Sequence, residues 1–280
     1  MQSTLHKNKS RKKKAKMRKN RINQYLAAVV TACLLLASCQ NKNEDNNKLF
    51  NTLIVEKTAA LSETEGSPEC RISIEIDEIN DTTEASNKIN KTIIQAAFGR
   101  EEEALETAID SFCANYIFRY KDALSKLYEA DLRAGVSSSW YDYRYKLKSE
   151  HSDGYSDCLC YKITTLRYEG GAREYSQITC MNFDKQTGEQ IKLQDLLLPT
   201  YVSELPPLLL EKLLDDFECE DIEALHQKGV LRLTDVYIPA NYLLCDECIT
   251  FIYNTDEIAP YETGAVSVDI SYKEIEALLK

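Results

Sequence analysis

No stretch constrains this chain's fold more than Cys158–Leu196, CLCYKITTLRYEGGAREYSQITCMNFDKQTGEQIKLQDL. Two runs rich in β-branched and aromatic residues flank Gly170-Gly171, and the second closes on Asn182-Phe183-Asp184 before a Thr187-Gly188 turn. Hairpin turns of the primed types need positive φ, which glycine reaches without a Cβ clash. Gly-Gly between two such runs therefore predicts a tight β-hairpin. Thr187-Gly188 predicts a second reversal, and Leu193 onward a helix start. The stretch specifies backbone shape rather than a chemistry.

The remaining chain supplies helices for these strands to pack on. Ile72, Ile74 and Ile76 alternate with polar neighbours, predicting a half-buried strand over 71–79. Asp81 with Glu84 resembles a capping box and opens a helix running to about Phe98, with Ala85, Ile89, Ile93 and Ala97 on one face and Gly99 as its stop. The strongest helical period follows. Leu105, Ala108, Ile109, Phe112, Tyr116, Tyr120, Leu124 and Leu127 recur at three- and four-residue spacing, with Glu101–Glu103 at the positive end of the dipole and Gly135 beyond the other. Its aromatic stripe reads as core rather than as a groove lining. Trp140–Leu147 alternates as a strand, a short helix begins near Pro206-Pro207, and a further helical segment covers Asp221–His226. Strands are expected at Asn241–Leu244, Ile249–Tyr253 and Ala265–Ile270, and a final amphipathic helix in KEIEALLK. The implied class is α+β, with antiparallel sheets and hairpins packed against a few helices, one of them long and amphipathic.

The N-terminus sets the compartment. Residues 1–38 hold ten Lys/Arg and no Asp/Glu, and Tyr25–Ala37 is an apolar run of signal-peptide length, too short for a stable transmembrane helix. It closes on Leu36-Ala37-Ser38-Cys39, which resembles a bacterial lipobox: small residues admit the peptidase and the thiol takes the lipid. Cys39 is the expected lipidation site, anchoring an outer-membrane lipoprotein that faces the periplasm or the cell surface. Glu44-Asp45 resembles an acidic surface-export signal, and Met17 offers a more ordinary start, so residues 1–16 read as a start-site artefact. The expected organisation is a signal peptide at 1–38, a lipidated flexible tether at 39–67, a strand–helix–helix–strand half at 68–150 and a C-terminal domain at 151–280.

Charge and cysteine usage agree with an envelope location. Beyond residue 38 the chain has 24 basic against 45 acidic residues, a net of −21. Such a surface repels nucleic acid and steers basic partners toward itself; the plainer alternative is solubility. Besides Cys33 and Cys39 there are eight cysteines: Cys70, Cys113, Cys158, Cys160, Cys180, Cys219, Cys245 and Cys248. An even number outside the cytoplasm predicts disulfides, with the connectivity open. Counting outward from Gly170-Gly171 sets Cys160 nearly opposite Cys180, and Cys245 and Cys248 flank a tight turn at Asp246-Glu247, so both pairs are candidates.

Several elements together resemble the extracytoplasmic domain of RsiV-type anti-sigma factors. They are Gly170-Gly171-Ala172, Asn182-Phe183-Asp184, Thr187-Gly188 with Leu193, Asp195 and Leu196, Glu257-Ile258-Ala259-Pro260-Tyr261 and Gly264-Ala265-Val266. The same domain accompanies PdaC-type peptidoglycan deacetylases and stands alone in lipoproteins. The resemblance covers roughly residues 70–280, the Ile72–Ile94 pattern included. It implies a receptor that binds lysozyme, a basic protein. Where the family commonly has a histidine after Gly-Gly-Ala, this chain has Arg173, followed by Glu174. The loop of Gly170, Gly171 and Arg173 is thus a candidate partner-binding loop without that histidine's role. The chain also lacks the sigma-binding segment and spanning helix of an anti-sigma factor.

Enzymatic chemistry finds little footing. His151 and His226 are the histidines beyond the basic arm, and nothing in the sequence brings them together with a carboxylate as a metal site requires. Cys245-Asp246-Glu247-Cys248 has the spacing of a redox pair but lies between strands with two acids inside it, which favours a structural clip. Carboxylate pairs such as Asp215-Asp216 are common in so acidic a chain and diagnose nothing. No catalytic residue, metal or cofactor is assigned, nor an oligomeric state. The expectation is a non-enzymatic, lipid-anchored binding module. Its alternatives are a structural or assembly lipoprotein that binds envelope proteins or glycans, and a cysteine-based redox or metal protein.

Overall fold

Alternating isoleucines organise the larger of two sheets. The computed structural model describes residues 50–100, 104–136 and 139–280. In it Ile72, Ile74 and Ile76 lie on one buried face of β2 (Glu69–Ile79). β2 pairs antiparallel with β1 (Phe50–Ala60) and parallel with β3 (Tyr143–Asp153). A parallel neighbour needs a long crossover. It is supplied by α1 (Glu84–Phe98) and α2 (Leu105–Arg133), whose apolar stripes cover the isoleucine face. β4 (Cys158–Glu169) and β5 (Tyr175–Asp184) complete a five-stranded sheet in the order β1-β2-β3-β4-β5. The aromatic stripe of α2 is core: Phe112 and Tyr116 pack on Tyr145 with ring centres 4.7 and 5.4 Å apart, and Tyr120 on Tyr143 at 5.0 Å.

A second core forms below. The short α3 (Leu193–Leu196), α4 (Tyr201–Asp216) and α5 (Ile222–Gln227) pack on a three-stranded antiparallel sheet of β6 (Tyr242–Leu244), β7 (Cys248–Tyr253) and β8 (Val266–Ser271). Leu205, Leu209 and Leu213, one turn apart along α4, are fully buried there. The class is the α+β arrangement read from the sequence, with two largely antiparallel sheets and one long helix. β4 belongs to both cores. Leu159, Tyr161 and Ile163 point into the first, and Cys158 and Cys160, on its other face, into the second.

Three asparagine side chains join the sheets. Asn182 on β5 donates from Nδ2 to the carbonyl of Tyr242 at 2.9 Å and accepts the amide of Leu244 at 2.8 Å. Asn241 accepts the amide of Cys180 at 2.7 Å and donates to the carbonyl of Ile178 at 3.0 Å. Asn254 accepts the amide of Ile178 at 2.6 Å and donates to the same carbonyl at 3.1 Å. A side-chain amide carries the donor and acceptor of a peptide group. The free edge of β5 is therefore satisfied as though another strand lay beside it.

Strands β1 to β4 of the larger sheet are tied by a second polar cluster. Nδ1 of His151 faces Oδ2 of Asp77 at 3.0 Å, Thr52 donates to Oδ1 of Asp77 at 2.5 Å, and the amide of Asp77 donates to Ser149 Oγ at 2.8 Å. Tyr161 donates to the carbonyl of Asp77, and Phe50 stacks on His151 with ring centres 3.6 Å apart. Burial works to raise the Asp77 carboxyl, but hydrogen bonds from His151, Thr52 and Ser149 outweigh it and hold its pKa below the ordinary carboxylate value.

Several expectations are corrected. The segment expected to be tether, 39–67, contains β1: each residue of Phe50–Ala60 pairs with β2, and Phe50, Leu53 and Val55 pack on the core. Its polar composition is that of an edge strand, with Ile54 facing solvent. The division at 150/151 falls inside β3. Trp140 and Tyr141 lie in a 3₁₀ turn, and the strand begins at Tyr143. Thr83 rather than Asp81 caps α1, accepting the amide of Ser86, while Asp81 orients Thr83. α4 starts at Tyr201, so Pro206 and Pro207 sit within it rather than at its start. KEIEALLK makes only a 3₁₀ turn, because the Leu198 amide bonds the Leu278 carbonyl and the Lys280 amide bonds the Leu196 carbonyl, drawing the C-terminus out beside Leu196–Leu198. The signal segment, Cys33, Cys39, Glu44-Asp45 and Glu101–Glu103 lie outside the described residues.

The polar clusters make two measurable predictions. Asn182→Ala strands the buried amide of Leu244 and the carbonyl of Tyr242, so urea unfolding should lose about 2 kcal/mol or more, at about 1–3 kcal/mol per orphaned group. Because the folded pKa of Asp77 is depressed, its contribution is complete above the unfolded carboxylate pKa and is lost as pH falls through the folded one. Asp77→Asn should therefore cost about 1–3 kcal/mol at pH 7, with the gap to wild type closing in strong acid. A gap independent of pH would contradict the assignment.

Candidate functional site

The loop between β4 and β5 is where sequence reading placed a partner site. Its last paired residues are Arg167 and Tyr175, so the connection is longer than a two-residue turn. Gly170 has φ 72°, and a Cβ there would come within 2.4 Å of the Trp140 carbonyl oxygen; both conformation and space require glycine. The extra length shifts the register. Cys160 stands opposite Asn182, and Cys180 opposite Lys162. The candidate Cys160–Cys180 bridge is corrected accordingly: diagonal neighbours lie about 7–8 Å apart at Cα, beyond ordinary disulfide reach.

Arg173 does not project freely. Its guanidinium lies 4.8 Å from the centre of the Tyr261 ring, and Nη2 reaches Glu262 at 3.3 Å. Tyr261 in turn donates its hydroxyl to the carbonyl of Glu174 at 2.8 Å, so the hairpin loop is docked onto the 3₁₀ turn Tyr261–Thr263. Two further Arg–Tyr stacks lie close by, Arg144 on Tyr168 at 5.0 Å and Arg167 on Tyr175 at 5.1 Å. Each such contact contributes about 0.5–1 kcal/mol at an exposed site. Their combined effect is to hold rings and guanidinium groups in fixed positions at one end of the sheet. Tyr175 is half exposed there, beside the exposed carboxylates Glu169 and Glu262. Tyrosine and arginine are the residue types that anchor protein interfaces.

The following turn is structural. Asp184 accepts the amides of Gln186 and Thr187, both at 2.8 Å. A Cβ on Gly188 would meet the Ala85 carbonyl oxygen at 2.4 Å, so this turn packs flush on the start of α1. Asp195 closes α3 by accepting the Lys192 amide.

The candidate chemical groups do not converge. His151 is engaged with Asp77 on β3, whereas His226 lies on α5. Among the described residues no group of three His, Cys, Asp or Glu side chains is arranged to hold a metal ion. Asp215 and Asp216 end α4, and Asp221 caps α5 by accepting the Ala224 amide. All eight cysteines from Cys70 onward are free thiols. Cys245 and Cys248 continue the β6–β7 register beyond the Leu244–Ile249 pair, facing each other across Asp246-Glu247. Sequence reading missed the asparagine seam and the approach of Cys160 to Cys245. Asn182 was visible as a motif residue, but its partners lie about 60 residues away, and no local pattern points to them.

Residues 194–273 match the family model of DUF3298, described as a protein of unknown function. That span runs from α3 to just past β8, the second core. No curated protein matches the chain. A DUF3298 family member from Bacteroides fragilis has a similar structure, with a TM-score of 0.77 and 28% identity over 82% of this chain and 93% of that one. A DUF3298 family protein from Pseudomonas aeruginosa shares the fold at a TM-score of 0.58 and 14% identity, covering 82% and 94%. The chain thus carries a DUF3298 domain match over its second core, in a fold shared with solved DUF3298 proteins.

Proposed function

We propose that this chain is a lipid-anchored, non-enzymatic binding protein of the bacterial envelope whose partner is a basic protein, with lysozyme as the candidate. One observation carries the reading: a rigid, ring-rich end of the sheet, held by three Arg–Tyr stacks and flanked by exposed carboxylates, in a chain portion of net charge −21. Long-range charge brings a cationic protein to the surface, and the exposed Tyr175 ring gives it a contact on arrival. DUF3298 is the domain found in RsiV-type proteins, which supports lysozyme as the first partner to test. The Leu36-Ala37-Ser38-Cys39 pattern supports an anchor at Cys39.

The test is binding of the full chain, solubilised in detergent, to immobilised lysozyme at rising salt. The Debye length shrinks from about 30 Å at 0.01 M to about 8 Å at 0.15 M, so affinity should fall at least tenfold between those concentrations. Tyr175→Ala should weaken it further, by about tenfold. No binding at low salt, or affinity indifferent to salt, would sink the proposal. Separately, Cys39→Ser should move the protein from the membrane fraction to the soluble one; unchanged membrane association would exclude the lipid anchor.

A further inference from the structure

Four of the thiols line up across the seam between the sheets. Cys158 and Cys160 are both 1% exposed on the second-core face of β4, their sulfurs 3.8 Å apart. Both point at the carbonyl of Leu244, at 3.5 and 3.2 Å. The next residue is Cys245, whose thiol neighbours those of Cys160 and Cys248 and lies 3.6 Å from Thr250 Oγ1. The order Cys158, Cys160, Cys245, Cys248 therefore leads from a sealed core to a half-buried hairpin. The backbone is fitted to this row. A Cβ on Gly154 would lie 2.6 Å from the Cys160 sulfur and 2.8 Å from that of Cys158. Tyr272 covers another side, donating its hydroxyl to the Cys245 carbonyl at 3.0 Å. The Cys160 hydrogen bond holds the Cys245 thiol down to about 6, favouring the nucleophilic thiolate at neutral pH.

We propose that Cys160 and Cys245 form a reversible disulfide that locks β4 to the β6–β7 hairpin, with Cys248 as the exchange thiol. The oxidant is a protein or low-molecular-weight disulfide. The Cys245 thiolate attacks one sulfur of that donor, forming a mixed disulfide and expelling the other sulfur as a thiolate. Cys160 then gives up its proton and attacks the Cys245 sulfur, expelling the second donor thiolate. Two cysteines are oxidised to one disulfide, one donor disulfide is reduced to two thiols, and the cysteine protons pass to the leaving thiolates. Attack of Cys248 on Cys245 regenerates the Cys160 thiol and moves the bridge into the hairpin with no net oxidation. Cys245 is the sulfur common to both bridges. The inference is independent of the partner proposed above.

The test equilibrates the full chain in detergent with mixtures of reduced and oxidised glutathione, alkylates free thiols in denaturant and maps tryptic peptides. The expected product joins the peptide of residues 149–162 to that of residues 233–273, with Cys160 and Cys245 losing their alkyl groups together as the mixture becomes oxidising. The link should persist in Cys158→Ser and Cys248→Ser and vanish in Cys160→Ser. Full alkylation at every ratio, or a bridge found only between Cys245 and Cys248, would overturn the proposal, as would a link that survives Cys160→Ser. The wild-type and Cys158→Ser results decide the matter even if Cys160→Ser does not fold.

Discussion

The fold depends on how the open edge of β5 is satisfied. A strand edge presents unpaired amides and carbonyls, and burying them without partners costs about as much as losing the hydrogen bonds. Asn182, Asn241 and Asn254 answer this with side chains that each donate and accept as a peptide unit would. The seam binds the five-stranded sheet to the three-stranded one. It also sets where everything else lies. Asn182 fixes Leu244, whose carbonyl gathers the Cys158 and Cys160 thiols, and Cys245 follows it in the chain. Asn254 sits just before the segment whose Tyr261 receives the hairpin loop.

Two features of different character therefore share one scaffold. At the hairpin end, guanidinium groups are stacked and ion-paired within the molecule, so that end of the sheet is pre-organised. At the seam, thiols of different burial are held in a row where the sheets meet. A bond across that row would stiffen the junction on which the asparagine contacts depend. The Asp77–His151 cluster ties β1, β2 and β3 to one another and, through Tyr161, to β4.

Much of the architecture was legible because it is written locally. The isoleucine alternation of β2, the three-and-four spacing of α2 and the Thr187-Gly188 reversal each depend on residues a few positions apart, and each stands in the structure. Where reading failed, the deciding partner was distant. β1 looked like tether because an edge strand needs few apolar residues once β2 supplies the ladder. KEIEALLK has helical spacing, but bonds to Leu196–Leu198 stop it after one 3₁₀ turn. The site was less legible. Gly170, Gly171 and Arg173 mark a loop from sequence alone, whereas the Tyr261 ring and Glu262 carboxylate that capture Arg173 lie about 90 residues on.

The sequence by itself determined the class of fold, the placement of its major helices and strands, the sign of its charge and the number of its thiols. Those follow from periodicity, turn chemistry and composition, which act within a few residues or over the whole chain. Only the tertiary structure decided the register of the hairpin and therefore which cysteines meet. One extra residue in a loop slides every cross-strand pair, and no local preference prevents it. Cys160 was brought to Cys245 rather than to Cys180 by the packing of one sheet on another, a contact between segments about 85 residues apart.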